Sequence, residues 1–185
     1  MRIAITGGIG AGKSYVCTLL RGRGIEVYDC DSAAKLLMAT SAHIREGLQQ
    51  LVGPEVYSHG TLQKAVLAAY LLQSEQHKQA VNDIVHPAVA ADFISSGLTW
   101  LESAILFDSG FDRRVHFDRV VCVTAPRDIR IQRIMARDNI SESRALEWIN
   151  RQMPQECMRQ QSDYEIANDG VCNLDSQINN ILNRL

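Results

Sequence analysis

The chain has 185 residues, 46% of them hydrophobic and 22% charged, which suits one globular domain or one domain with small insertions. Nineteen Lys and Arg against 21 Asp and Glu leave a formal net charge of -2. With no long basic tract, nucleic-acid binding by bulk electrostatics is not expected.

In chain order, short β-type runs alternate with longer helix-type segments. The strand candidates are 2–6 (RIAIT), 25–29 (IEVYD), 98–107 (LTWLESAILF), 119–124 (RVVCVT) and 164–168 (YEIAN). Several are apolar on both faces, as in a parallel sheet covered on both sides. Helices are predicted over 13–22, 31–51, 61–95 with a stop near 85, 126–138 with Pro126 in the first turn, 141–153, and 173–184. No strand is expected in 32–95. This order predicts an α/β fold, a doubly wound parallel sheet. Its nucleotide-binding core comprises 1–31, 96–126 and 161–185, with a helical insert at 32–95 and a second helical piece at 127–160. Cys17, Cys30, Cys122, Cys157 and Cys172 are odd in number and contain no CxxC pair. They read as mostly buried thiols of a reducing compartment. The N-terminal apolar run is too short for a secretory leader, and nothing approaches a membrane-spanning length. A cytoplasmic location is expected.

Residues 7–14, GGIGAGKS, satisfy G-x-x-x-x-G-K-[ST] between a predicted strand and a predicted helix, the setting that gives the motif meaning. Glycines let successive N–H groups face one concavity, and the following helix adds its free N–H groups and positive dipole end. Lys13 is expected to reach the β- and γ-phosphates of a nucleoside triphosphate, and Ser14 to ligate Mg²⁺. The GTPase signatures D-x-x-G and N-K-x-D are absent, as is the transporter signature LSGGQ. A helical insert after the second strand suits a kinase, whose acceptor site and closing lid need such additions.

Asp29 and Asp31 follow the second strand, at the edge where such folds bind ligands. If the chain stays extended there, both carboxylates face one side. They could then accept an acceptor proton and hold Mg²⁺ through water. The competing reading is that Asp31 caps the next helix. His43, His59, His77 and His116 show no metal-ligand spacing.

With TGGIGAGKS, DCD, VNDIVHP, AILFDSGFD and QRIMARD in this order, the chain resembles the dephospho-CoA kinases over nearly its whole length. The resemblance implies a five-stranded core, a helical CoA-binding insert at 32–95 and a lid in 127–160. It implies that ATP, with Mg²⁺, phosphorylates the 3′-hydroxyl of dephospho-CoA, the last step of CoA synthesis. Its implied ATP-binding residues are Gly8, Ile9, Gly10, Ala11, Gly12, Lys13, Ser14, Tyr15 and Asn168. Asp31 would be the general base, supported by Asp29, with Lys13, Arg133 and Arg137 also catalytic. Lys64, Asn82, His86, Pro87 and Asp108 would join both aspartates at the acceptor. Alternatives stay open at three places: a solvated basic face for Arg133 and Arg137, a helix stop for His86-Pro87, and a plain turn for Asn168. The chain departs from the family pattern at Tyr15, Lys64, Ala104 and Asp108. No nucleic-acid or membrane partner is implied, and a monomer is expected. The competing functions are another small-molecule kinase or a nucleotide-binding regulator without transfer.

Overall fold

The computed structural model describes every residue from Met1 to Leu185. The chain divides into two compact units, Met1–Tyr28 with Leu98–Leu185, and Asp29–Gly97.

The first unit begins with β1 (Ile3–Thr6), whose four side chains are all buried. A glycine-rich loop leads into α1 (Lys13–Arg21), and β2 (Val27–Asp29) follows. β2 leads directly into α2 (Cys30–Thr40), the first helix of the second unit.

Residues 31–51 form two helices, not one, because Ser41 is extended and its Oγ accepts from Ile44 N–H, capping α3 (Ala42–Val52). The expectation of no strand in 32–95 also fails. After a 3₁₀ turn at Pro54–Val56, β3 (Tyr57–Ser58) and β4 (Thr61–Leu62) pair antiparallel. His59 and Gly60 between them both have positive φ, as the tightest hairpin turns require. Next come α4 (Lys64–Leu71) and α5 (Glu75–Ser96). α5 does not stop at residue 85 but runs through Pro87, which is exposed. Val81, Val85, Val89, Ala90 and Phe93 keep one buried stripe across it, so packing outweighs the lost backbone bond. α2, α3 and α4 all pack on α5.

The chain returns to the first unit through β5 (Trp100–Glu102), much shorter than the predicted 98–107. Ser103 N–H still reaches Ile5 C=O, but Ser109, Gly110 and Phe111 donate back into 105–107. The apolar run thus buries Leu106 in a turn, and α6 (Phe111–Arg114) follows. β6 (Arg119–Thr124) lies as predicted. Pro126 stands at the N-cap of α7 (Arg127–Asp138), just outside its first turn. α8 (Glu142–Asn150) ends earlier than predicted, and Pro154 opens an unanticipated α9 (Gln155–Gln160). β7 (Tyr164–Ala167) and α10 (Leu174–Leu182) complete the chain.

The sheet has five strands in the order β2-β5-β1-β6-β7. The pairs of β1 with β5 and β6, and of β6 with β7, are parallel, so the predicted architecture stands. Val16, Cys17 and Leu20 of α1 and Ile178 and Ile181 of α10 share one core with Ile3, Ile5, Val121, Val123 and Ile166. β1 is therefore central, and the loop leaving its carboxyl end is anchored by a fully buried strand. No helix is long and apolar enough to cross a membrane.

Candidate functional site

The loop from Gly7 to Gly12 joins β1 to α1. Ala11 is fully buried, and Ala11 N–H closes a turn onto Gly8 C=O at 3.1 Å. Three glycines are demanded by geometry, the first being Gly7, whose φ is 146° and where a Cβ would collide with the Val123 carbonyl. Gly10 has φ 78° and Gly12 has φ 93°, and a Cβ at Gly10 would lie 2.7 Å from the Arg130 carbonyl. At Gly12 it would collide with the Asn168 amide. The loop is thus glycine-rich partly because α7 and the end of β7 press against its outer side.

Lys13 opens α1 and is nearly buried, at 9% exposure. Its Nζ lies 3.5 Å from Gly8 C=O and 3.8 Å from a Glu102 carboxylate at the end of β5. The ammonium is therefore folded back across the loop, where a negatively charged ligand would meet it. Ser14 is exposed at the helix N-terminus. A Mg²⁺ ion on a triphosphate takes most of its ligands from phosphate and water. An exposed Ser14 hydroxyl and the nearby Glu102 carboxylate suit that sparse protein share. Tyr15 is 57% exposed, so its ring is turned into solvent. Replacing Tyr15 by Thr is expected to change ATP affinity and turnover less than about threefold, within the range usual for surface positions. Isothermal titration and initial rates check this, and a tenfold gain would show that the phenol obstructs the site.

Asn168 and Arg133 are brought onto the loop from distant sequence. Asn168 is buried and donates Nδ2–H to Ala11 C=O at 2.9 Å. Arg133 Nη1 donates to Gly10 C=O and Ala11 C=O, and its Nη2 to the backbone and side-chain oxygens of Asn168. Arg137, one turn on, is exposed and instead paired with Asp138. Although four apart in sequence, the two arginines hold different partners.

Two further contacts to this loop come from residues outside the sequence candidates. Arg130, 5% exposed, donates Nε–H to Ile9 C=O at 2.9 Å. Burial, and secondarily the charge of Arg127, lowers its pKa. Gln152, on the turn after α8, accepts Ile9 N–H at 2.7 Å through Oε1. Arg130 was findable, since it lies one turn before Arg133; Gln152 was not.

The remaining candidates are placed as follows. Asp29 is the N-cap of α2: its Oδ1 accepts Ser32 N–H at 3.0 Å and its Oδ2 accepts the Ser32 hydroxyl at 2.9 Å. Asp31 lies in the first helical turn, exposed. The chain is already helical there, so the alternation that would point both carboxylates one way does not apply. The cap is Asp29, not Asp31. Lys64 is exposed at the start of α4. Asn82 and His86 are half-buried on α5. Pro87 lines an open cleft of about 380 Å³ with His43, Gly47, Asp83, Ile84 and Ala88. Asp108 accepts Met153 N–H at 3.2 Å. Beyond β7, Asp169 accepts the N–H groups of Cys172 and Val171, which hold its carboxyl down to about 2. All five cysteines are free, and burial raises the Cys122 thiol to about 11, which leaves it inert at neutral pH.

Comparison with known proteins agrees with the loop. The family model described as Dephospho-CoA kinase matches residues 1–173. A Bacteroides fragilis protein named Dephospho-CoA kinase is 41% identical over 185 aligned residues, 96% of this chain and 89% of its own. A Porphyromonas gingivalis protein of the same name is 40% identical, covering 90% of this chain and 85% of its own. Among solved structures, a Thermus thermophilus protein superposes with a TM-score of 0.84 at 31% identity, covering 100% of this chain and 97% of its own. A shikimate kinase from Acinetobacter baumannii shares the fold alone, with a TM-score of 0.56 at 16% identity, covering 99% and 93%.

Proposed function

The chain belongs to the dephospho-CoA kinase family, whose reaction is the final step of coenzyme A biosynthesis, and we propose how its own residues carry that reaction. The family match over residues 1–173, spanning the phosphate loop, the 29–97 unit and the late helices, carries this reading. ATP is the donor and the 3′-hydroxyl of dephospho-CoA the acceptor. The bond between the 3′-oxygen and the γ-phosphorus forms as the β–γ bridging bond breaks, and ADP leaves.

The loop amides and the N-terminus of α1 receive the phosphates of ATP. Lys13 neutralises charge on the transferring phosphoryl group, where positioning and electrostatics dominate catalysis. Ser14 would hold Mg²⁺, with Asp29 or Glu102 acting through water. When bound, the ion offsets charge on the β- and γ-oxygens. Asp31 takes the acceptor hydroxyl proton. Arg133 acts from the loop it already holds, and Arg137 closes over the phosphates after leaving Asp138, which excludes water and limits ATP hydrolysis. Asn168 borders the adenine. Lys64, Asn82, His86, Pro87 and Asp108 shape the acceptor side. The segments 32–95 and 127–160 serve as acceptor-binding insert and lid. The enzyme works in the cytoplasm as a monomer on small molecules.

One coupled assay tests the reading. ADP release from Mg·ATP is expected to depend on dephospho-CoA, and AMP, shikimate or simple alcohols are expected not to replace it. ADP release indifferent to dephospho-CoA would sink it.

A further inference from the structure

Ile9 is the one residue of the phosphate loop gripped by side chains at both ends of its backbone. Gln152 takes its N–H at 2.7 Å, and Arg130 gives Nε–H to its C=O at 2.9 Å. Both side chains come from the late helical segment, 143 and 121 positions away. With its N–H spent on Gln152, Ile9 presents no donor to a phosphate; it is the point by which the loop is held.

Arg130 is odd as a merely structural residue. Its side chain is almost wholly buried, it forms no salt bridge, and its one side-chain hydrogen bond goes to a neutral carbonyl. Burying a guanidinium without a counter-charge is costly. The charge lies against the loop that the proposed function fills with triphosphate. A Cβ at Gly8 would collide with the Arg130 guanidinium, so the absent side chain at Gly8 is what lets the cation approach. Cations on the carbonyls of Ile9, Gly10 and Ala11, from Arg130 and Arg133, also polarise those loop peptides.

We propose that Arg130 and Gln152 are positioning residues for phosphoryl transfer, clamping the Ile9 end of the phosphate loop from outside so that its amides stay arranged for the β- and γ-phosphates. Arg130 adds a charge that is compensated only when those phosphates arrive. This rests on ATP being the ligand of the loop.

The test compares Gln152→Met and Arg130→Met, singly and together, with the unmodified protein. Methionine keeps length and apolar packing while removing the acceptor or the cation. Each single change is expected to weaken ATP binding about tenfold in a calorimetric titration. Adenosine binding, measured by displacement of a fluorescent ATP analogue, is expected to hold within twofold, since adenosine does not use the clamp. The melting temperature of the nucleotide-free protein is expected to be unchanged or higher for Arg130→Met, which removes an uncompensated buried charge. The double change is expected to cost less than the product of the singles, because both act on one peptide group. Unchanged ATP affinity, or equal losses for ATP and adenosine, would overturn the clamp, as would a fall in the nucleotide-free melting temperature that tracks the loss of affinity. An unmodified protein that fails to bind ATP would instead sink the proposed function itself.

Discussion

Replacing Asp31 by Asn is expected to lower turnover with dephospho-CoA by about 10³-fold, the middle of the range for a general base, with ATP affinity held within about twofold. The acceptor hydroxyl must lose its proton as its oxygen bonds to phosphorus, and an amide cannot take it. The structure makes this a clean experiment. The cap of α2 is Asp29, whose two oxygens are both engaged by Ser32. Asp31 sits exposed in the first turn with no capping duty. Its removal forfeits only a favourable charge near the helix N-terminus, about 0.3–1 kcal/mol. Asp29→Asn would mix a cap effect with any catalytic one. Steady-state rates and calorimetric ATP binding decide the matter, and near-normal turnover would remove Asp31 as the base.

Lys13→Met is expected to cut turnover by about 10²–10³-fold, the usual cost of losing one preorganised electrostatic contact to the transition state, and to weaken ATP binding as well. Lys13 is almost buried, with its ammonium between Gly8 C=O and Glu102. Methionine retains the stem that packs there. The charge is lost, so the phosphoryl group must develop its transition-state charge without that partner. Single-turnover rates at saturating ATP separate the chemical step from binding, and thermal melting checks folding. Turnover within tenfold of the unmodified enzyme would show that other cations do this work, Arg130 and Arg133 being the nearest candidates on the loop.

Much of the fold was legible because its signals are local. Ile3 to Thr6 and Arg119 to Thr124 read as strands, and both form; β1 is buried throughout and β6 from Val121 onward. The final helix followed from Leu174, Ile178, Ile181 and Leu182, two of which enter the core. The errors share one cause, packing that overrides a local rule. Pro87 reads as a helix stop, yet α5 continues because its buried stripe lies on the opposite face. Ile105 to Phe107 read as strand, yet the chain turns there to bury Leu106 and Phe111. The hairpin at His59-Gly60 was missed because two-residue strands leave no periodicity to detect.

The candidate site divides along the same line. Gly7 to Tyr15 are contiguous, and the chemistry of a phosphate loop depends on backbone N–H groups and two adjacent side chains. Sequence alone therefore marked out the proposed phosphate loop and named Lys13 and Ser14 as its lysine and serine. Tertiary structure alone decided what holds the loop in shape. Arg130, Arg133, Gln152 and Asn168 reach it across more than 120 positions, because β6 and β7 lie on the same side of β1 in the parallel sheet. Hydrogen bonds to loop carbonyls leave no pattern in the sequence; they exist only once the sheet order has set those helices beside the loop.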